Sequence, residues 1–458
     1  MRGSRALTRP GAELGLPARI GLSVAVLFTA YRLALNQQLV YLLGTAVTIG
    51  VLAMVPVEVF LGVMLLARNV ADTFADTYVP GGGALNIGAL VGILAICVGC
   101  LRLIGIRHIE GLGFGLLFLV LLFVWTLVGY ANYGIDNSIT REFIRTASIV
   151  VLGLVASVFV RRLADVDRVV AAVVLAALVP AIIAIGQWVS SGDVTTRVAG
   201  TFAHPNAAAG VFGVALAIAL WKLLQRWSPA YAGAAILFAV ALLATRSLGG
   251  LAQIFVTLLV YSILTRRSGS RPMVTAIAGV AILAVFSLTP LGRDRIEEVQ
   301  TTRSFTAAVQ GDQTNSLDWR FANWAKLLES WRDRPVLGHG SGTTATLVAP
   351  GLNIPHSDVI RLIVETGVLG FLLFGGAFIA LLVGLYRRAR APADTASFAA
   401  AVLAIVAGLA VHGLVNNVST QTATMYALAI LLGAAVGVTR PAEDPRRLRA
   451  GEPQGNAA

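Results

Sequence analysis

Residues 112–132 read LGFGLLFLVLLFVWTLVGYAN and contain no charged side chain. The hydrocarbon core of a bilayer is about 30 Å thick, and an α-helix needs about 20 apolar residues to cross it. A run of this length and composition therefore predicts a transmembrane helix.

The composition extends this prediction to the whole chain. The 458 residues are 57% hydrophobic and 13% charged, with a mean hydropathy of +0.80, whereas soluble domains are about 25% charged. A water-soluble fold could not bury so much apolar surface. We predict an all-α polytopic membrane protein with about 12–14 transmembrane helices. The candidate spans are residues 19–35, 38–53, 56–69, 85–105, 112–132, 143–162, 168–189, 206–224, 231–246, 249–265, 273–289, 368–386, 397–415 and 423–439.

The distribution of arginine predicts the orientation of these spans. Cytoplasmic loops of membrane proteins carry an excess of basic residues, and here every second connector is basic. Besides the two tails, the basic connectors contain Arg107, Arg161, Arg162, Arg168, Lys222, Arg226, Arg266, Arg267, Arg271, Arg387, Arg388 and Arg390. Both termini are therefore expected in the cytoplasm. The net charge of +12 is explained by topology and does not indicate binding of nucleic acid.

Five segments follow from this topology. We predict a basic cytoplasmic tail at 1–18, N-terminal transmembrane helices at 19–289, an extracytoplasmic loop with amphipathic helices at 290–367, C-terminal transmembrane helices at 368–439 and a disordered cytoplasmic tail at 440–458. The first of these segments lacks the apolar core and cleavage site of a signal peptide.

Polar residues with chemical potential gather at the predicted outer ends of the helices. Arg246 lies on the arginine-poor side between two spans, where a snorkelling interfacial side chain is the alternative interpretation. Residues 316–333 predict an amphipathic helix with an apolar stripe of Trp324, Leu327, Leu328 and Trp331, and with Arg320 inside this stripe. That helix could equally be structural, with its arginine paired to lipid phosphate.

Two further outer stretches carry histidine. Residues 335–344 (PVLGHGSGTT) could cradle an anion through backbone N–H groups or form a flexible turn. Residues 353–367 predict a short helix with Pro355 in its first turn and Gly367 at its end. On this helix Asp358, Arg361 and Glu365 share a face. His356 at its start could accept a proton near neutral pH or be structural.

A third outer stretch leads into the span at 206–224. His204 could contact a polar ligand, and Asn206 is predicted to cap the helix that follows. Cys97 and Cys100 lie in an apolar run, so helix packing is favoured over a metal or redox site. His412, inside a span, is also predicted to have a packing role.

Four motifs in this order resemble those of the O-antigen ligase and O-antigen polymerase superfamily of the bacterial envelope. The resemblance covers residues 200–370. The motifs are Gly-Thr-Phe-x-His-Pro-Asn at 200–206, Thr-Arg-Ser-x-Gly-Gly at 245–250, Arg320 with Pro-Val-Leu-Gly-x-Gly at 335–340, and Pro-His-Ser-x-x-x-Arg-Leu-x-x-Glu-x-Gly at 355–367.

The resemblance implies a metal-independent, inverting glycosyltransferase without a cofactor. Its members transfer a glycan from a polyprenyl-diphosphate carrier to an acceptor hydroxyl on a lipid or glycan, at the outer face of the inner membrane. By resemblance, Arg246 and Arg320 would bind the diphosphate and His356 would be the catalytic base. Further candidates for substrate contacts are His204, Asn206, Arg361 and Glu365. The expected partners are the lipid-linked glycan, its acceptor and membrane lipids.

Two alternatives remain open at this point. A glycan or lipid transporter without bond-making activity would be expected to carry ionisable residues along several spans, and the sequence shows few. A structural or scaffolding membrane protein would give Arg246, Arg320 and His356 no reason to converge. Ligase and polymerase activities are not separated by these motifs.

Overall fold

The all-α prediction is confirmed by a computed structural model of the protein. The structure describes residues 37–74, 86–106, 109, 111–265, 271–288, 290–301, 315–344, 355–392 and 394–438, and within them it contains helices and no β-strand. The predicted span at 19–35 and the tails at 1–18 and 440–458 lie outside the described residues. The predicted segment boundaries therefore stay predictions.

The α-helices are numbered in chain order. They are α1 (Gln37–Met54), α2 (Val57–Ala71), α3 (Ile87–Leu103), α4 (Leu112–Tyr133), α5 (Asn137–Phe159), α6 (Leu163–Ser191), α7 (Pro205–Gln225), α8 (Pro229–Ala244), α9 (Leu248–Thr265), α10 (Arg271–Leu288), α11 (Pro290–Gln300), α12 (Ser316–Trp331), α13 (Asp358–Ala389), α14 (Ala396–Leu414) and α15 (Thr422–Gly437). Most predicted spans coincide with one of these helices to within a few residues.

Seven described helices are long and apolar enough to cross a membrane: α4, α5, α6, α7, α9, α13 and α14. Shorter apolar helical stretches occur in α3, α8, α10 and α15. A 16-residue helix is about 24 Å long, which is less than the hydrocarbon thickness. The seven longer helices are sufficient to make the chain a multi-pass membrane protein. The predicted number of about 12–14 is larger because the sequence criterion also counted these shorter apolar runs, the helices α1 and α2, and residues 19–35, which lie outside the described residues.

The chain divides into two compact units, one at residues 1–54 and the other at 55–458. All site residues belong to the second unit. Within it, α9 packs extensively against α14, and α5 against α15. The second pair is close enough that a Cβ added to Gly433 would lie 2.1 Å from the carbonyl oxygen of Gly153. Small residues of this kind let membrane helices approach closely.

Helix α13 begins later than the sequence predicts, and it contains a break. Its first residue is Asp358 and Ser357 caps it by accepting a hydrogen bond from the Ile360 N–H, so Pro355 precedes the helix and does not lie in its first turn. Gly367 has φ 65° and ψ −173°, outside the helical region. Gly367 therefore ends the first helical part, as predicted, and a second helical part follows directly after this kink and continues to Ala389.

Candidate functional site

The backbone marks two of the sequence-predicted site residues. In the described part of the chain, His356 (φ 53°) and Arg246 (φ 49°) are the two non-glycine residues with positive φ. Such conformations cost about 1–3 kcal/mol, persist only when the surrounding structure enforces them, and cluster at functional sites. Arg246 and His356 are therefore held in position at a cost to folding.

The residues on both sides of His356 are fixed by hydrogen bonds. The Trp324 indole N–H of α12 donates to the carbonyl oxygen of Pro355. The Ser357 N–H donates to the side-chain oxygen of Asn417 over 2.9 Å. The predicted stripe residue Trp324 is thus used to join α12 to the histidine segment. These contacts hold the backbone on each side of the imidazole.

The imidazole of His356 lies among polar and aromatic groups. Its Nδ1 is 3.4 Å from the side-chain oxygen of Asn416. The Trp319 ring meets it edge-on at 5.5 Å between centroids, and the His204 ring lies at 6.2 Å. Burial lowers the pKa of His356, and the charge of Arg320 lowers it further. The ring is therefore neutral at pH 7 and able to accept a proton.

A buried chain of hydrogen bonds determines which nitrogen accepts. The Gln253 amide N–H₂ donates to the carbonyl oxygen of Gly210 (3.2 Å), so its Oε1 faces His412 Nδ1 (2.8 Å) and accepts from it. His412 Nε2 is then the acceptor for the Asn416 N–H₂ (3.2 Å). Asn416 consequently turns its oxygen to His356 and accepts from Nδ1–H. The lone pair of neutral His356 is left on Nε2.

Arg320 supplies a positive charge beside both histidines. It lies on α12, and its Nη1 donates to the carbonyl oxygen of Val415 over 2.8 Å. Its charge contributes to the lowered pKa of His204 and of His356. A guanidinium keeps its charge at any physiological pH and matches phosphate oxygens with paired N–H donors.

The N-cap residue of α7 differs from the predicted Asn206. His204 is the N-cap residue, because its Nδ1 accepts a hydrogen bond from the Asn206 N–H over 3.1 Å. The Asn206 side chain has another partner, since its oxygen accepts from Arg197 Nη2 over 2.9 Å. Burial, followed by the charges of Arg197, His356 and Arg320, lowers the pKa of His204 to about 4.

Arg246 lies at the break between α8 and α9. Its side chain is 4% exposed, and its Nη1 donates to the carbonyl oxygen of Thr195. A snorkelling arginine would extend away from the protein, so the burial does not fit that interpretation. Arg197 connects this region to His204, because its Nε donates to the Thr245 carbonyl oxygen (3.2 Å) while its Nη2 contacts Asn206.

A comparison with known protein families finds a match that includes Arg246, Arg320 and His356. Residues 233–375 match the family model described as O-antigen ligase. This part of the chain is similar to O-antigen ligases. This match confirms the family resemblance and contains Arg246, Arg320 and His356 within one segment. No curated protein matches the chain.

Two candidates within the matched segment lie in a buried ion network. Arg361 contacts Glu365 (3.1 Å) and Glu142 of α5 (2.8 Å), and Arg145 also pairs with Glu142. Arg361 is 8% and Glu365 4% exposed. Arg361 Nη1 donates to Ser419 over 3.2 Å. This network therefore holds the segment 415–420, which contacts His356, and favours a positioning role for Arg361 and Glu365.

The glycine-rich stretch of the matched segment is neither an anion cradle nor a flexible turn. Its N–H groups at 338–341 donate to backbone carbonyl oxygens 2.7–3.1 Å away; the acceptors are Arg334, Val364, Glu365 and Trp125. Gly340 requires glycine, because its φ is +106° and an added Cβ would lie 2.2 Å from the backbone of Gly129. The stretch joins α4 to the first part of α13.

Several residues near the site were missed in the sequence. Arg197 carried the same signal as Arg246, an arginine in an arginine-poor outer connector. Asn416 and Asn417 lie outside the matched segment, in a polar connector where no sequence pattern distinguishes them. Trp319 gave no sequence signal, because it lies off the predicted stripe. Among the described residues, no group of three or more His, Cys, Asp and Glu side chains could hold a metal ion.

Proposed function

We propose that this O-antigen ligase-like protein is a glycosyltransferase that uses a polyprenyl-diphosphate-linked saccharide. It would transfer the saccharide to an acceptor hydroxyl at the outer face of the inner membrane, as a ligase or as a polysaccharide polymerase. The observation that carries this proposal is the neutral imidazole of His356 beside Arg320, with Nε2 free of the Asn416 contact and available to a substrate.

His356 is the general base in this proposal. Its Nε2 accepts the proton of the acceptor hydroxyl while the hydroxyl oxygen forms a bond to the anomeric carbon. The bond from that carbon to the diphosphate oxygen breaks, and the diphosphate departs with the electron pair. Because attack occurs opposite the leaving group, the anomeric configuration inverts. A positioned general base typically accelerates such a step by about 10²–10⁴-fold.

The arginines stabilise the leaving group. Arg246 and Arg320 bind the diphosphate, and Arg197, which lies between the two regions, adds a third charge. Fixed cations aimed at developing negative charge provide the largest catalytic contribution in many enzymes. Three guanidinium groups can supply this stabilisation without a metal ion. A chelator should therefore leave turnover unchanged.

A transporter without bond-making activity is the second candidate. Its support is the buried network of Glu142, Arg145, Arg361 and Glu365 inside two candidate spans, since ionisable groups within spans often mark a transport path. These charges are confined to the first turns of α5 and α13, and they pair with one another. We therefore favour the enzyme.

Purified protein in nanodiscs tests the enzyme directly. With polyprenyl-diphosphate glycan and acceptor, the wild type should release the carrier diphosphate. His356→Ala should lower this rate by at least about 10²-fold. Arg332→Ala, at an exposed arginine just after α12, is the matched control and should keep full turnover. Full turnover by His356→Ala would reject the assigned base.

The transporter alternative has its own readout. Proteoliposomes that move the labelled glycan lipid across the bilayer without releasing its carrier would support transport and reject the transferase. Labelling of a cysteine introduced at Arg332 by an impermeant reagent from outside the cell would test the predicted side. The length of glycan chains and their attachment in a deletion strain would distinguish ligase from polymerase.

A further inference from the structure

A cavity of about 180 Å³ is lined by residues other than Arg246, Arg320 and His356. It is bounded by the C-terminal end of α2, the N-terminal ends of α3 and α15, and the first turns of α5. These ends lie on the same side of the second unit as His356, because Thr420, which lines the cavity, belongs to the segment 415–420. The residue that joins this segment to the imidazole is Asn416.

The described lining of the cavity is cationic. Three arginines contribute to it, Arg68, Arg141 and Arg145, against one carboxylate, Asp72. Asp72 pairs with Arg68 over 2.7 Å. Arg145 pairs with Glu142 in the balanced network that also contains Arg361 and Glu365. Arg141 therefore gives the cavity its excess of positive charge.

Two guanidinium nitrogens at this cavity have unmet hydrogen-bonding capacity. Arg68 Nε and Arg145 Nε are buried and have no hydrogen-bond partner within the described ranges. Leaving a buried donor unsatisfied is unfavourable, and such groups in native proteins commonly indicate a site for an ion or water. Hydroxyl groups of Ser148, Thr420 and Tyr426 also occur in the lining.

We propose that this cavity binds an oxyanion, a phosphate or carboxylate group carried by the acceptor or by a lipid headgroup. Guanidinium N–H donors form their strongest hydrogen bonds with such oxygens. Since a water molecule occupies about 30 Å³ in the liquid, the volume accommodates a phosphate or a carboxylate with part of a sugar ring. The site is distinct from the diphosphate-binding residues Arg246 and Arg320, which do not line it.

The contacts of Arg145 connect the cavity to the reaction site. Its Nη1 donates to the Thr420 carbonyl oxygen over 2.9 Å, and its other partner, Glu142, contacts Arg361, which holds Ser419. Binding of an oxyanion to Arg145 would therefore affect the position of the segment 415–420, which orients His356. The assignment of the oxyanion to the acceptor rests on the proposed function, whereas oxyanion binding itself does not.

Binding of inorganic phosphate separates this site from the diphosphate site. Titration calorimetry of the full chain in nanodiscs of phosphatidylcholine should show phosphate binding by the wild type, Arg320→Gln and the exposed control Arg332→Gln. Arg141→Gln should weaken it about 10-fold and Arg141→Glu should abolish it. Loss of binding in Arg320→Gln with retention in Arg141→Glu would place the anion at the other site and overturn the proposal.

Two further arms identify the source of the oxyanion. Glucuronate should compete with phosphate if the site accepts the carboxylate of a sugar. Nanodiscs of phosphatidylglycerol should suppress phosphate binding if a lipid headgroup is the ligand. Failure of phosphate, glucuronate and phosphatidylglycerol alike would overturn the proposal, and would do so whether or not the protein releases carrier diphosphate.

Turnover provides the test of the acceptor assignment. With a phosphorylated or carboxylated acceptor, Arg141→Gln should raise the acceptor KM about 10-fold and leave the donor KM and kcat unchanged. An increase in the donor KM instead would contradict an acceptor site. If the wild type shows no turnover, the proposed function is rejected. The phosphate titration would still show whether the cavity binds an oxyanion.

Discussion

The Nε2 of His412 lies 3.2 Å from the side-chain amide nitrogen of Asn416, and this contact determines which way Asn416 faces. His412 is fully buried and its Nδ1 is already committed to Gln253. The asparagine must therefore present its oxygen to His356. A residue predicted to have a packing role thus sets the protonation pattern of the proposed base.

We expect His412→Phe to lower kcat about 10-fold or more, because Asn416 could then turn and the proton of His356 would no longer be fixed on Nδ1. The KM for the glycan donor should stay unchanged, since His412 is fully buried and acts through Asn416. Steady-state kinetics on the purified variant separate the two constants. His412→Gln offers an oxygen to Asn416 and should restore most of the rate. Equal loss in both variants would indicate a purely structural role.

Asn416→Asp should change the pH dependence of turnover. A general base works in its neutral form, so the rate falls as the pH drops through the pKa of His356, which burial and Arg320 hold below its usual value. A carboxylate in place of the amide would raise that pKa, because it favours the charged imidazolium. The acidic limb of kcat/KM should therefore move to higher pH.

Asn417→Asp is the comparison for this effect. Its side chain accepts from the Ser357 backbone N–H, so the added charge does not contact the ring. A smaller displacement of the acidic limb is expected. An unchanged limb in Asn416→Asp, measured over pH 5–8, would show that another group titrates.

Gly340→Ala should destabilise the protein by about 3 kcal/mol or more, because the new Cβ overlaps the backbone of Gly129 and the residue has positive φ. Gly233→Ala is the matched control, since no atom lies within 4 Å of its added Cβ and alanine favours helix by about 1 kcal/mol. Thermal unfolding in detergent compares the two variants. A melting temperature for Gly340→Ala equal to that of Gly233→Ala would show that the stretch at 338–341 is not packed as described.

Glu142→Gln should also be strongly destabilising. It removes the carboxylate between Arg145 and Arg361, and breaking a buried ion pair costs about 3–5 kcal/mol. Arg168→Gln breaks the pair with Glu58, in which Arg168 is 59% exposed, and should cost at most about 1 kcal/mol. Chemical denaturation of both variants measures the difference. Equal stabilities would show that the network around Arg361 does not hold the segment 415–420.

Much of the site was accessible from the sequence, because its residues stand out by type. Arg246 and Arg320 were marked by charge in an apolar or arginine-poor context, and His356 by its place before a helix. The caps were less predictable. His204 caps α7 where Asn206 was expected, since the choice depended on Arg197, which engages the asparagine side chain. Local sequence does not contain that contact.

The sequence by itself determined the helical membrane architecture, because transfer of apolar runs into lipid depends on composition and length and needs no knowledge of neighbours. It also singled out, by residue type, the side chains that are proposed to carry the chemistry. The tertiary structure decided how Gln253, His412 and Asn416 combine to orient His356, and where Arg68, Arg141 and Arg145 form a cationic cavity. Several of these arrangements depend on hydrogen bonds between residues more than 100 positions apart in the sequence. Such residues come into contact only when the helices pack, so local sequence patterns do not reveal the bonds.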